Sequence, residues 1–313
     1  MTYAPIALFT YNRPDKTQRV LESLVQNAEA KDSDLFIFSD GPKNEKAIEG
    51  VKANREYLHS FKDSLLNREG WGGSITIIER EKNWGLANSL IAGITEVVNK
   101  YGRVIVVEDD LILSPYFLKF MNDGLEKYEN EDKVGAISAY VYPSENSYPE
   151  NFFLRYFLCW GWATWKRAWD LLEIDSRILL RRMRLKKKAF DVGGNAGAYG
   201  NLYCTKVGLV DSWWIRIYAS WFLANKLTLY PGMSLVSNGG DDGSGTHSKT
   251  YRETSPTDIE ISMTPVSLVD VKVEESQIAY QNYKKYFDDK AANSSVLCQL
   301  KSFLRRLLYI DCR

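Results

Sequence analysis

The chain has 313 residues, with 40 Lys and Arg against 40 Asp and Glu, and 45% of its residues are hydrophobic. At about 100–200 residues per domain that length holds one large α/β domain or two modest ones, and the apolar content excludes a disordered chain. Zero formal net charge removes the bulk electrostatic case for a nucleic-acid partner, so function has to be read from local sites.

In chain order, Ile6-Ala7-Leu8-Phe9 predicts a buried strand, followed by a turn at Asn12 to Asp15 and a helix whose apolar face carries Val20, Leu21, Leu24 and Val25. Leu35 to Phe38 predicts a second strand ending in Ser39-Asp40-Gly41-Pro42, with a polar helix running to about Phe61. Ile75 to Ile78 predicts a third strand and Leu86 to Asn99 a third helix, stopped at Tyr101-Gly102. Val104 to Val107 is apolar on both faces, as a central parallel strand requires, and runs into Glu108-Asp109-Asp110. Ser114-Pro115 starts a further helix.

Strand and helix alternate over the first 140 residues, which predicts an α/β fold: a mostly parallel, Rossmann-like central sheet flanked by helices. Ligands of such sheets lie beyond the carboxyl ends of the strands, where Thr10 to Arg13, Ser39 to Gly41, Glu79 to Asn83 and Glu108 to Asp110 would converge. The second half is less regular. It holds an aromatic stretch from Phe152 to Trp169, a basic run from Arg177 to Lys188, a glycine-rich loop from Gly193 to Gly200, and a helix from Ser212 to Asn225. Short strands at Leu227 to Tyr230 and Ser234 to Val236 lead into Asn238 to His247, and a polar tail with two helical patterns follows.

Cys159, Cys204, Cys298 and Cys312 lack both the paired spacing of a zinc site and the density of a disulfide scaffold. They read as reduced thiols of a cytoplasmic protein. The first residues show no basic segment followed by an apolar one, and no apolar run reaches about 18 residues, so neither export nor a membrane span is expected.

Two or three carboxylates at the end of an apolar strand repel one another unless a positive charge sits among them. Oxygen donors favour Mg²⁺ or Mn²⁺, which leave coordination positions open for substrate phosphates. An acidic turn with a salt bridge is the plainer alternative. His247, in a glycine-rich loop, is a candidate to complete a shell begun by these carboxylates, with Asp241 and Asp242 as competing donors.

Taken together, Ala4 to Pro14, Ser39-Asp40-Gly41, Asn83-Trp84-Gly85-Leu86-Ala87 and Val107 to Asp110 resemble the nucleotide-sugar half of GT-A glycosyltransferases, both family 2 and the N-acetylglucosaminyltransferase I-like group. Trp160 to Trp165, Asp211-Ser212-Trp213 and Asn238 to His247 resemble a bacterial branch found in polysaccharide synthesis. The resemblance covers about residues 4 to 250.

It implies a metal-dependent hexosyltransferase that uses a nucleotide sugar, with uracil the base. Thr10, Asn12 and Arg13 would lie along the nucleotide, Asp40 on the base, Asn83 and Gly85 near the ribose or sugar, and Arg80 near the diphosphate. Asp110 would bind the metal, with Asp109 and Glu108 orienting ribose, sugar or metal-bound water. Inverting transfer needs a carboxylate to take the acceptor proton, and Asp211 is the candidate, with an N-cap as its structural alternative. Trp160, Trp162, Trp213 and Trp214 are candidate sugar contacts, Trp160 and Trp162 because Gly161 between them would open the backbone to a ligand, whereas Trp165 and Trp169 read as core.

The basic run 177–188 and the amphipathic stripe 296–309 are candidates for peripheral contact with the inner face of the plasma membrane or with a lipid-linked acceptor. A solvated helix face is the plainer alternative for the first, and a helix docked on the protein body or on a second subunit for the second. The expected organisation is a GT-A domain over residues 1–254, divided at 140 into donor and acceptor halves, and a helical tail over 255–313. The expected partners are a UDP-sugar and a saccharide on a polyprenyl diphosphate, for capsule or O-antigen synthesis, and no nucleic acid. A non-catalytic carbohydrate-binding or assembly protein on the same scaffold is the rival. A sugar-1-phosphate nucleotidyltransferase ranks lower, since Leu8 to Asn12 holds no glycine-rich phosphate loop.

Overall fold

The computed structural model describes residues 3–67, 72–239 and 259–293. Its first half follows the expected alternation: β1 (Ile6–Thr10), α1 (Pro14–Leu24), β2 (Leu35–Ser39), α2 (Ile48–Leu66), β3 (Ile75–Glu79), α3 (Leu86–Tyr101) and β4 (Arg103–Glu108). Every residue of β1 and β2 is buried, because helices cover both faces, and these strands therefore read as unbroken apolar runs. β3 is half-buried, as its place at the sheet edge requires.

The second half adds β5 (Leu111–Leu113), α4 (Phe117–Lys127), β6 (Val134–Ser138), β7 (Asn151–Leu154) and β8 (Trp162–Trp165). Helices α5 (Lys166–Trp169), α6 (Ser176–Met183), α7 (Lys187–Phe190), α8 (Ala198–Lys206) and α9 (Trp213–Leu223) follow, then β9 (Leu227–Pro231), β10 (Val236–Asn238) and α10 (Gln277–Ala292). Eight strands form one sheet in the order β3-β2-β1-β4-β8-β6-β9-β7. β1 to β4 are mutually parallel, whereas β8 enters antiparallel between β4 and β6, and β7 closes the far edge antiparallel to β9. β10 and β5 pair separately, antiparallel.

The aromatic stretch thus supplies two strands of the sheet. Trp162 is fully buried among Phe157, Trp169, Trp213 and Trp221, the last two at ring-centroid distances of 5.6 and 6.0 Å. Gly161 before it has φ +62°, and a Cβ there would meet Phe117 and Val236 at 2.9 Å. Close packing, and not backbone access for a ligand, explains this glycine.

The described part of the expected tail lies on the same core. Ser276 caps α10 by accepting from the Ala279 N–H, and its own N–H reaches the Phe153 carbonyl at 2.8 Å. Tyr283 of α10 is fully buried, in edge-on contact with Tyr142, Tyr148, Tyr156 and Tyr230. The stripe 296–309 lies outside the described residues.

Candidate functional site

The site is built by register. Phe9 of β1 pairs with Glu108 of β4, so the turns that follow these two strands face each other. Arg13, at the N-cap of α1, lies in the first turn and Asp109-Asp110 in the second. The Arg13 guanidinium donates through Nη2 to Asp109 Oδ1, through Nε to Asp109 Oδ2 at 3.3 Å, and through Nη2 to Asp110 Oδ2 at 3.2 Å.

Burial, with Asp110 and Asp109 close by, pushes the Glu108 carboxyl up to about 8 against the opposing pull of Arg13. Burial also lifts Asp109 to about 6, though Arg13 and Lys16 draw it down. Burial alone would lower the Arg13 pKa; Asp109 and Asp110 outweigh it and raise it.

β10 closes this side of the site. Lys16 of α1 is buried and donates to the Gly239 carbonyl at 2.9 Å, and the Gly239 N–H donates to the Asp110 carbonyl at 2.7 Å. The segment that continues from Gly239 carries Asp241, Asp242 and His247, which lie outside the described residues.

Asp40, at the end of β2, organises the neighbouring loops. Its buried carboxylate accepts from the backbone N–H groups of Gly41 (3.0 Å), Trp84 (2.9 Å) and Gly85 (3.0 Å), and from Asn83 Nδ2 at 3.1 Å. Gly85 takes φ +76° at the N-cap of α3, a conformation other residues adopt at a cost. Arg55 of α2 binds the strand ends together, donating to the Arg80 carbonyl at 2.8 Å and to Ser39 Oγ at 3.2 Å. Thr10 is buried, with its hydroxyl accepting from Asn54 Nδ2 at 3.1 Å, and Asn12 is half-buried in the loop that follows.

Arg80 stacks on Trp84, its guanidinium carbon 3.6 Å from the ring centroid, and burial lowers its pKa against the attraction of Asp40. Two buried guanidinium nitrogens of these loops, Arg13 Nη1 and Arg80 Nε, have no hydrogen-bond partner among the described residues; Arg155 Nε and Arg216 Nε in the second half share that state. Buried donors of this kind suit an anionic ligand, because leaving them unmet costs about 1–3 kcal/mol each.

The acceptor-side candidates are dispersed. Asp211 is largely exposed and pairs with Arg216 at 2.9 Å; Ser212, one residue on, caps α9. Trp162, fully buried, and Trp213, stacked on it and 4% exposed, are core side chains, which corrects their assignment as sugar contacts. Trp214 is half-buried, donating to the Phe157 carbonyl at 2.9 Å. Trp160 is half-buried, 4.5 Å from Tyr140. Trp165 and Trp169 are core, as expected. Sequence reasoning missed Lys16 and Arg55, whose only signal is a cation on the apolar face of a helix, and Trp84 as the surface on which Arg80 lies.

Among the described residues no three His, Cys, Asp or Glu side chains are grouped to hold a metal ion. The donor chemistry nevertheless fits a hard divalent cation at Asp110, since Arg13 hydrogen-bonds only its Oδ2 and the side chain is 20% exposed. Among the described residues no helix is long and apolar enough to cross a membrane, and Cys159 and Cys204 are free thiols.

A search of curated proteins returns no match. Among solved structures, S. aureus TarS 1-349 aligns at 13% identity and a TM-score of 0.37, covering 54% of this chain and 48% of that one. The chain therefore spans about half the length of that structure, and at this score the likeness carries no argument. The family model of glycosyl transferase family 2 matches residues 6–202, which run from β1 through the acidic turn and the aromatic strands into α8. With well over half its length matched, the chain belongs to glycosyl transferase family 2.

Proposed function

We propose that the protein is a metal-dependent, inverting glycosyltransferase that moves a sugar from a UDP-sugar to a saccharide acceptor. The observation that carries this reading is the pairing, at one sheet edge, of an acidic turn with two buried guanidinium donors, Arg13 Nη1 and Arg80 Nε, that lack partners among the described residues. That combination suits a diphosphate and its counter-ion. Membership of family 2 supports the transfer chemistry.

In this reading Arg13 donates through Nη1 to a phosphate oxygen while Nε and Nη2 stay on the carboxylates, and Arg80, held flat on Trp84, presents its edge to the diphosphate. Asp40 keeps the 40–41 and 83–85 loops together beside the base. Asp110 and a group from the segment beyond Gly239 would hold Mg²⁺ or Mn²⁺, which supplies Lewis-acid stabilisation to the departing nucleoside diphosphate. Asp211, drawn by Arg216 at the start of α9, takes the proton of the acceptor hydroxyl as that oxygen attacks the anomeric carbon from the face opposite the diphosphate. Trp160 and Trp214, both half-buried, are the sugar-contact candidates that the core has not absorbed. The acceptor in this reading is a growing saccharide on a polyprenyl diphosphate, as in capsule or O-antigen synthesis.

Release of UDP from a panel of UDP-sugars, with Mn²⁺ and with chelator, tests the proposal. The expected result is metal-dependent turnover of at least one donor, lost in Asp110→Asn. Undiminished turnover in chelator would remove the metal. No turnover, together with glycan binding equal in parent and Asp110→Asn, would leave a binding module on a transferase scaffold.

A further inference from the structure

The stretch from Ser176 to Phe190 holds seven cations and no carboxylate: Arg177, Arg181, Arg182, Arg184, Lys186, Lys187 and Lys188. In α6 the side chains of Leu179, Leu180 and Met183 are buried, and the helix packs on α8 and α9. Arg177, Arg181 and Arg184, at i, i+4 and i+7, therefore share the outward face. Arg177 pairs with Asp175 at 2.8 Å, but among the described residues Arg181, Arg182, Arg184, Lys186 and Lys188 have no carboxylate partner. The C-terminal dipole of α6 accounts for one or two of these cations, not for a run that continues five residues past the helix.

An apolar feature accompanies the charge. Leu185, between Arg184 and Lys186, is 90% exposed, and Ile174, just before the helix, is 63% exposed. An interfacial anchor sets cations at the headgroups and an aliphatic side chain beneath them, and Leu185, exposed within the run of cations, meets that arrangement. A nucleic acid fits less well: the one aromatic of the stretch, Phe190, is fully buried and offers no stacking surface for a base.

We infer that residues 177–188 form a docking surface for an anionic lipid bilayer, with Leu185 entering the interface and the exposed arginines and lysines on the headgroups. The inference is independent of the transfer reading. The surface would hold the protein at a membrane where anionic lipids are dense.

Co-sedimentation of the full chain with vesicles tests it, comparing phosphatidylcholine alone with phosphatidylcholine containing one-third phosphatidylglycerol, at low and high salt. Binding is expected only to the anionic vesicles and is expected to fall with salt. Arg181→Glu, Arg182→Glu and Lys186→Glu combined should lower the partition coefficient at least about a hundredfold, at roughly fivefold per cation removed. Leu185→Ser, which leaves the charge unchanged, should lower it about tenfold. Near-UV circular dichroism matching the parent establishes that the variants are folded. Full binding by the triple variant, unchanged binding by Leu185→Ser, or binding to a short DNA duplex with none to anionic vesicles would each overturn the inference.

Discussion

The Arg13 guanidinium meets the Asp110 carboxylate at 3.2 Å while holding Asp109 through two further hydrogen bonds, so one cation spans both acids at the end of β4. The contact joins residues 97 apart in sequence and exists because β1 and β4 are neighbours with Phe9 opposite Glu108. Arg13 thus supplies the positive charge that the acidic turn requires.

Replacing Arg13 by Met should therefore leave poorly solvated carboxylates without their partner, at a cost of about 3 kcal/mol. Urea unfolding at neutral pH measures it. Added Mn²⁺ should raise the melting temperature of Arg13→Met more than that of the parent, because the ion then replaces a missing charge and does not compete with a present one. Equal stability of the two proteins would show that Arg13 is not the counter-charge.

The same acids set a pH dependence. Glu108 keeps its proton to about 8 in the folded protein against 4.5 for a free carboxyl, and Asp109 to about 6 against 3.8. In those windows the folded state binds more protons than the unfolded one, so stability falls as pH rises. The contribution of Glu108 is whole below about 4.5 and is lost as pH climbs through about 8. Chelated protein should lose stability across that range by at most about 1.4 kcal/mol per pH unit for each group. Glu108→Gln, which cannot ionise, should flatten the slope, and a slope equal to the parent's would assign it elsewhere.

Strands β1, β2 and β4 were legible because burial on both faces leaves unbroken apolar runs, and their loops could be placed from the strand ends alone. The Arg13 bridge was not legible, since nothing local to Arg13 marks a partner in another strand's turn. Trp162 misled for a different reason. Aromatic density beside a glycine looks the same whether the rings floor a pocket or fill a core, and only the insertion of β8 between β4 and β6 decides it.

That placement makes Trp162 and Trp160 opposites on mutation. Trp162→Ala empties a fully buried indole site and should cost about 3–5 kcal/mol. Trp160→Ala, at a half-buried position with one close ring neighbour, should cost less than half as much. Chemical denaturation of both variants compares them, and a mild Trp162→Ala would contradict its place in the core.

Asp40→Asn should act on the loops. The amide retains one acceptor oxygen, and its NH₂ is set against backbone N–H groups that now point at the carboxylate. The loss should be about 2 kcal/mol, with faster amide exchange at Trp84 and Gly85. Exchange at those two amides unchanged from the parent would mean the carboxylate does not hold the loops together.

Asp211 offers the opposite experiment, because its side chain is 59% exposed and Ser212 caps α9 without its help. Asp211→Asn should leave stability within about 0.5 kcal/mol of the parent, as for surface changes that remove no cap or buried partner. Loss of a general base should lower kcat by about a hundredfold to ten-thousandfold with little change in KM for the donor. A structural role cannot produce that split, since loosening α9 would lower the melting temperature along with the rate. If kcat is unchanged, the proton of the acceptor goes to another group, and Asp211 is only the partner that orients Arg216.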